Sequence, residues 1–294
     1  MKKTLAIVLA LLMAANLIAF TACGKKETVT DDQNDKDVQN EQNVGEDANT
    51  TDDKAGDETK TDSDVAYVTD KGTLVVGITE YAPMNYQEDG QWTGFDTEFA
   101  EAVAAKLGVK AEFVEIDWDN KVFELNSKAI DCVWNGMTLT EDVLSAMSCS
   151  KAYCNNAQVV VVPKDKAQNY QTAESCKSLK FAVENGSAGK KQAEANGYQF
   201  TEVKDQATAL MEVAGGTADA AIIDSLMAAA MIGEGTGYAN LTYTAKLNSE
   251  EYGVGFRKGS DLTEKLNKFF EDSKADGTLQ KTAEKYKVQA ALIK

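Results

Sequence analysis

Apolar positions fall into three regimes along the chain. From Leu5 to Ala22 they are almost unbroken, from Lys25 to about Asp64 they nearly vanish, and from Val65 onward they come in short bursts between polar turns. The first burst of the third regime, Thr73-Leu-Val-Val-Gly-Ile78, reads as a strand by its β-branched content, and Glu80-Tyr-Ala-Pro-Met84 breaks it. Phe99, Val103 and Leu107 then repeat at helical spacing, with Asp96 as candidate cap and Gly108 as stop. Lys110 to Ile116 is a second strand, a short helix follows from about Asn120 to Asn126, and Ala129 to Trp134 is a third strand. That strand feeds Asn135-Gly-Met-Thr138, which reads as a polar turn before a helix-like segment.

The same alternation runs through again. Gln158 to Val162 is a buried strand ended by Pro163, and Leu179 to Val183 is another, followed by Glu184-Asn-Gly-Ser-Ala-Gly189 and a Lys-rich helix start. Asp205 caps a helix that turns Leu210 and Val213 inward, and Asp219 to Asp224 is a strand with an acid at its carboxyl end. A last strand lies near Tyr252-Gly-Val-Gly-Phe-Arg257, and two amphipathic helices close the chain. Strands alternating with helices predict two largely parallel α/β lobes. Lobe 1 is expected over 65–155 and 249–294, lobe 2 over 156–248, with chain crossings near 153–158 and 245–252. Ligands sit at the carboxyl ends of such strands and in clefts between lobes.

Composition narrows the chemistry. The net charge is −17, there is no His, and Arg257 is the one arginine. A polyanion is unsuited to nucleic acid, since neutralising phosphates needs clustered Lys and Arg. Without His the commonest general base and metal ligand is missing. Acid–base chemistry would fall to Glu80, Glu184 or Asp224, so the expectation is a protein with no catalytic residue, no metal and no cofactor. The leading residues read as a secretory signal over 1–22: Met1-Lys-Lys, an apolar run, then Phe20-Thr-Ala before Cys23. That Cys placement resembles the bacterial lipoprotein lipobox, with Cys23 as the lipidated residue; an uncleaved anchor is the other reading, and both tether the protein outside the cytoplasm. Residues 25–64 hold 14 acidic and five basic residues with no aromatic, so 23–64 reads as a disordered acidic linker. Four further cysteines, Cys132, Cys149, Cys154 and Cys176, permit disulfides, with Cys149 and Cys154 nearest in sequence and Cys132 read as a buried apolar residue.

Gly94-Phe-Asp-x-Glu-Phe, Val103-Ala-x-x-Leu-Gly, Trp118-Asp, Asn135-Gly-Met-Thr-x-Thr, Tyr153, Asp224 and Tyr252-Gly-Val-Gly-Phe-Arg-Lys-Gly occur in order. Over about residues 70 to 288 the chain resembles the polar-amino-acid solute-binding proteins of bacterial ABC importers. The resemblance implies a bilobed periplasmic-binding-protein-like fold with a two-crossing hinge. It implies a monomer that is lipid-anchored on the outer face of the membrane and hands a small polar ligand to a permease. It also implies a ligand site. Tyr81, after Glu80 in the first turn, and Trp118 match positions that sandwich the ligand side chain. Asn135, Gly136 and Thr138 match the loop that meets the α-carboxylate, Gly186, Ser187 and Ala188 the facing loop, and Asp224 the acid that takes the ammonium group. Simpler readings stay open: Tyr81 as a turn residue, Trp118 as core, Asp224 as a helix cap. One position departs from the family. Its carboxylate-clamping Arg lies five residues after the loop Thr, where this chain has Val143. A carboxylate must then be met by backbone N–H groups, by Asn135, Thr138 or Ser187, or by a Lys such as Lys190; otherwise the ligand is an amine, amide or modified amino acid.

Overall fold

In a computed structural model the chain is described over residues 63–294. The signal sequence, Cys23 and nearly all of the acidic stretch lie outside the described residues. The fold opens on a helix that sequence patterning does not single out, α1 (Asp64–Lys71), capped by Ser63 and ending at Gly72. It leads into β1 (Thr73–Ile78), then a small hairpin of β2 (Tyr86–Glu88) and β3 (Gln91–Thr93). The helix expected behind an Asp96 cap is α2 (Phe95–Leu107), but Gly94 holds the cap position. Asp96 sits fully buried in the first turn instead, where Oδ2 accepts the Gly136 N–H at 2.7 Å and the Tyr153 hydroxyl at 2.8 Å. Burial pushes its carboxyl up to about 7. Its role is to pin strand to helix, not to cap.

After β4 (Lys110–Glu115) come a 3-10 turn at Trp118–Asn120, α3 (Lys121–Asn126) and β5 (Cys132–Thr138). The third strand therefore starts and ends later than patterning suggests. Asn135 to Thr138 are strand residues, not a turn, because the last strand of the sheet pairs with them: Tyr252 lies opposite Thr138 and Gly253 opposite Met137. Short α4 (Glu141–Ala146) follows, capped by Thr140, then β6 (Ser148–Cys149) and β7 (Cys154–Asn156).

The second lobe runs β8 (Gln158–Pro163), β9 (Lys180–Glu184), α5 (Ala188–Asn196), β10 (Gln199–Val203), α6 (Gln206–Gly215), β11 (Ala220–Asp224), α7 (Ser225–Met231) and β12 (Leu241–Lys246). The chain then returns through β13 (Glu250–Phe256) and ends in α8 (Leu262–Ala275) and α9 (Thr278–Lys285). The first sheet has the order β4-β1-β5-β13-β6, with β7 also on β13; the second has the order β10-β9-β11-β8-β12. In each, three strands run parallel and the return strands run antiparallel. The chain passes between sheets at Ala157 and again between Lys246 and Glu250.

The continuous apolar run of β8 is explained by burial on both faces. Val159 and Val161 pack with Leu210 and Ile223, while Val160 and Val162 pack with Phe181, Val183 and Ile222. Asp205 caps α6 as its sequence suggests, accepting the Thr208 N–H at 2.7 Å. Arg257 lies far from any cleft: its guanidinium reaches Asp64 Oδ1 at 2.9 Å, Asp131 Oδ1 at 3.3 Å and the Ile130 carbonyl at 2.8 Å. Asp261 completes this junction, accepting the Ser63 hydroxyl at 2.6 Å and the Val65 N–H at 2.9 Å. All four described cysteines are free thiols, Cys149 and Cys154 included, and burial pushes the Cys132 thiol far up. Among the described residues no helix is long and apolar enough to cross a membrane.

Candidate functional site in the interlobe cleft

A cavity of about 350 Å³ opens between the two sheets, at the ends of β5, β9 and β11. That volume is within the range for small-molecule sites. Of the residues singled out in the sequence, Trp118, Asn135, Gly136, Thr138, Asp224 and the Gly186–Ala188 loop line it. Glu80 and Tyr81 do not. The turn after β1 folds back so that the Tyr81 N–H bonds the Asn85 carbonyl at 2.7 Å. The Tyr81 ring then packs under Gly136, whose positive φ of 54° and lack of a side chain let the ring come close: a Cβ there would lie 2.6 Å from Tyr81 Cε1. Glu80 stays half-buried and accepts the Gln87 N–H at 3.3 Å.

Several lining groups are already committed within the protein. Asn135 uses its whole amide to join strand ends, accepting from Thr79 N–H at 3.1 Å and donating to the Thr79 carbonyl and Asn85 Oδ1 at 2.9 and 2.8 Å. Gly136 gives its N–H to Asp96 and Thr138 its hydroxyl to Glu250 at 3.0 Å. Val143 lines the cavity from α4, so that helix offers it a methyl surface. On the opposite wall Ser187 caps α5, accepting the Lys190 N–H at 3.1 Å, and Ser187 and Ala188 at the start of that helix line the cavity. A helix N-terminus of this kind favours an anionic group.

Asp224 makes no cap bond to α7. Its carboxylate accepts instead from Tyr252 at 2.6 Å, from Gln158 Nε2 at 3.0 Å, and from the side-chain amides of Asn156 and Gln206. Asn156 and Gln158 also donate to Glu250, so the two acids share their donors at the point where the chain crosses between lobes. Burial first, and the Glu250 charge second, push the Asp224 carboxyl up. Tyr81 and Tyr252 hydroxyls, 2.5 Å apart, extend the same chain into the first lobe.

Two further charged residues line the cavity: Lys121, which nothing in the sequence singles out, and Glu184, which reads there only as a candidate acid. Lys121, at the start of α3, is 8% exposed and lies over the Trp118 ring, 5.0 Å from its centre. Its Nζ donates to the Trp118 carbonyl at 2.9 Å and, across the cleft, to the Gly186 carbonyl at 3.1 Å. Burial draws its amine down to about 8. Glu184 ends β9 at 2% exposure; burial, then the charges of Asp224 and Asp205, push its carboxyl up to about 8. Lys191 and Asp142 form a second bridge between the lobes.

Comparison with known proteins gives this geometry a lineage. Residues 74–289 match the model of the bacterial extracellular solute-binding proteins, family 3. The L-cystine-binding protein TcyJ of Escherichia coli K12 is 31% identical over 224 residues, covering 74% of this chain and 84% of that protein. The L-cystine-binding protein TcyA of Bacillus subtilis is 30% identical over 293 residues, covering 97% of both chains. A solved ABC uptake transporter substrate-binding protein from Streptococcus pneumoniae with bound histidine superposes with a TM-score of 0.71 at 26% identity, covering 80% of this chain and all of that one. With two mixed sheets, two crossings and a cleft at the strand ends, the chain belongs to the bacterial extracellular solute-binding proteins of family 3.

Proposed function

We propose that this protein captures an amino acid, or a related small molecule bearing an amino group, and delivers it to the permease of an ABC importer. The observation that carries the reading is the pairing of opposites in one cavity: the buried Asp224 carboxylate, and facing it the capped start of α5 at Ser187 and Ala188. A zwitterion needs an acceptor at one end and donors at the other, and an aromatic wall at Trp118 completes the enclosure. The relatives named above bind cystine or hold histidine, which supports an amino-acid ligand and a binding rather than catalytic role. In this reading lobe 1 spans 65–155 and 249–294 and lobe 2 spans 156–248, and the lobes close about the crossings near 153–158 and 245–252. Glu80 and Tyr81 frame the first-lobe wall from behind, while Asn135, Gly136, Thr138, Gly186, Ser187 and Ala188 shape the carboxylate end. The protein works as a monomer on the outer face of the cell membrane, held by lipid on Cys23 and spaced from it by the acidic linker. A thermal-shift screen of the full chain across amino acids, their amides, polyamines and dipeptides tests it. A rise in melting temperature with at least one primary amine is expected; a flat response across the whole panel sinks the reading.

A further inference from the structure

Two acids meet at the crossings between the lobes with no cation to balance them. Asp224, at the end of β11, is buried and lines the cavity; Glu250, at the start of β13, is half-buried and does not line it. Gln158 Nε2 donates to both, to Asp224 Oδ1 at 3.0 Å and to Glu250 Oε1 at 2.8 Å, and Asn156 Nδ2 bridges the same two oxygens. That sharing brings Glu250 within hydrogen-bonding reach of Asp224. The remaining donors are neutral: Tyr252 and Gln206 on Asp224, Thr138 and Asn248 on Glu250. Among the described residues no salt bridge reaches either acid.

The surroundings add no free positive charge. β8 and α7, which pack on β11, carry no titratable side chain, and Glu212 of α6 accepts from the Thr217 hydroxyl. Glu184 on β9, Asp205 before α6 and Glu194 on α5 are acids. The lysines are engaged elsewhere: Lys190 on Glu202, Lys191 on Asp142, and Lys121 on the Trp118 and Gly186 carbonyls. Burial pushes the Tyr252 and Tyr81 phenols up, so both stay protonated. Two carboxylates so placed cannot both stay ionised, and the pair by itself shares a proton. Burial, then the Glu250 charge, push the Asp224 carboxyl up, in agreement with that.

We propose that Glu250 is a positioning residue of the ligand site, sharing with Asp224 a proton that an arriving ammonium group must expel. As ligand binds, the Asp224 O–H bond breaks. Its electron pair stays on the carboxylate that meets the ammonium, and the proton passes to solvent. Binding is thereby coupled to release of about one proton. The proposal rests on the zwitterion reading above.

Calorimetry of the full chain in mild detergent tests it, repeated in phosphate, PIPES and Bis-Tris, whose different ionisation heats count the protons exchanged. The probes are glutamine, arginine and cystine, together with any amine that shifts the melting temperature. Near pH 6.5, wild type is expected to release about one proton per ligand, and its affinity to rise roughly tenfold from about pH 5.5 to 6.5. Glu250→Gln is expected to cut the release below about half a proton and to flatten the affinity profile. Glu184→Gln is expected to keep the release. No release by wild type, or a full proton still released by Glu250→Gln, overturns the proposal while leaving solute binding in place. Release lost in Glu184→Gln instead gives the proton to Glu184 and overturns it equally. No heat with any probe overturns both readings. The wild-type count needs no variant, so a Glu250→Gln protein that fails to fold does not spare the proposal.

Discussion

Lys121 and Gly186, 65 residues apart in sequence, are joined across the cleft by a 3.1 Å hydrogen bond from a buried ammonium to a carbonyl. Trp118, on the same wall as Lys121, supplies the second acceptor. The bond exists only while the lobes are together, so it contributes to closure and to retention of whatever the cleft holds. Hydrogen bonds to charged groups contribute about 1.5–3 kcal/mol, which corresponds to roughly ten- to a hundredfold in affinity. Lys121→Met keeps the aliphatic stem and removes the bond. Ligand dissociation measured by stopped flow is expected to speed up at least tenfold; an unchanged off-rate refutes a closing role for Lys121.

Gly186 is also a spacing device. At φ 67° a Cβ on it would lie 2.6 Å from the Asp119 Cα. Gly186→Ala should therefore hold the lobes apart. Small-angle scattering in saturating ligand is expected to show a larger radius of gyration than wild type, with affinity lowered at least tenfold. A variant that closes fully disproves the contact.

Asp224 and Trp118 call for conservative substitutions. Truncating Asp224 leaves the Gln206, Gln158 and Tyr252 donors without an acceptor, and Trp118 is packed in a buried apolar cluster with Leu125 and Val133. Trp118→Ala should cost about 3–5 kcal/mol of stability in its own right. Asp224→Asn and Trp118→Phe keep the packing. Each is expected to weaken ligand binding at least tenfold in calorimetry with a melting temperature within a few degrees of wild type; wild-type affinity in Asp224→Asn removes the ammonium site from Asp224.

The buried acids set a pH trend. Glu184 is held near 8 against an ordinary value of 4.5, by burial first, with Asp224 on β11 and Asp205 before α6 raising it further and Lys121 on α3 lowering it. The folded protein thus keeps a proton that the unfolded chain gives up. Stability from this group is full below the unfolded value and is lost as pH rises towards the folded one. Asp96 and Asp224, also raised, act in the same direction. The melting temperature of the unliganded protein is expected to fall between about pH 5 and 8, and Glu184→Gln to flatten the slope. A wild-type curve that climbs through this window contradicts the assignment.

Arg257 offers a clean contrast. It pairs with Asp64 and Asp131 away from the cavity, and removing one partner of a buried pair costs about 3–5 kcal/mol. Arg257→Met should lower the urea midpoint strongly while ligand affinity in the folded protein stays within about twofold. A selective loss of binding would place Arg257 in the site after all.

Much of the fold can be read from the chain, and what escapes does so for physical reasons. The apolar run of β8 and the Asp205 cap of α6 are local signals and appear where patterning puts them. Strands β10 and β12 escape because each lies at a sheet edge, where half the side chains face water and no apolar run forms. In the cleft, Asp224 is legible as an acid at a strand end, and Asn135 as part of a motif. That the Asn135 amide is consumed by Thr79 and Asn85 is not, since those partners arrive from 56 and 50 residues away. Lys121 is harder still. As a residue it resembles any exposed lysine, and only the approach of Gly186 makes it a buried one.

The junction of Arg257 and Asp261 with residues 63–65 has a mechanical meaning. The described chain begins at residue 63, where α1 is stapled to the first lobe by the Arg257–Asp64 ion pair and two hydrogen bonds to Asp261. A pull applied at residue 63 is therefore delivered to the first lobe, where Arg257 and Asp261 hold it. The second lobe, attached by two strands of chain, bears none of it. In the lipid-anchored protein proposed above, such a pull would act on the first lobe and leave the second free to close.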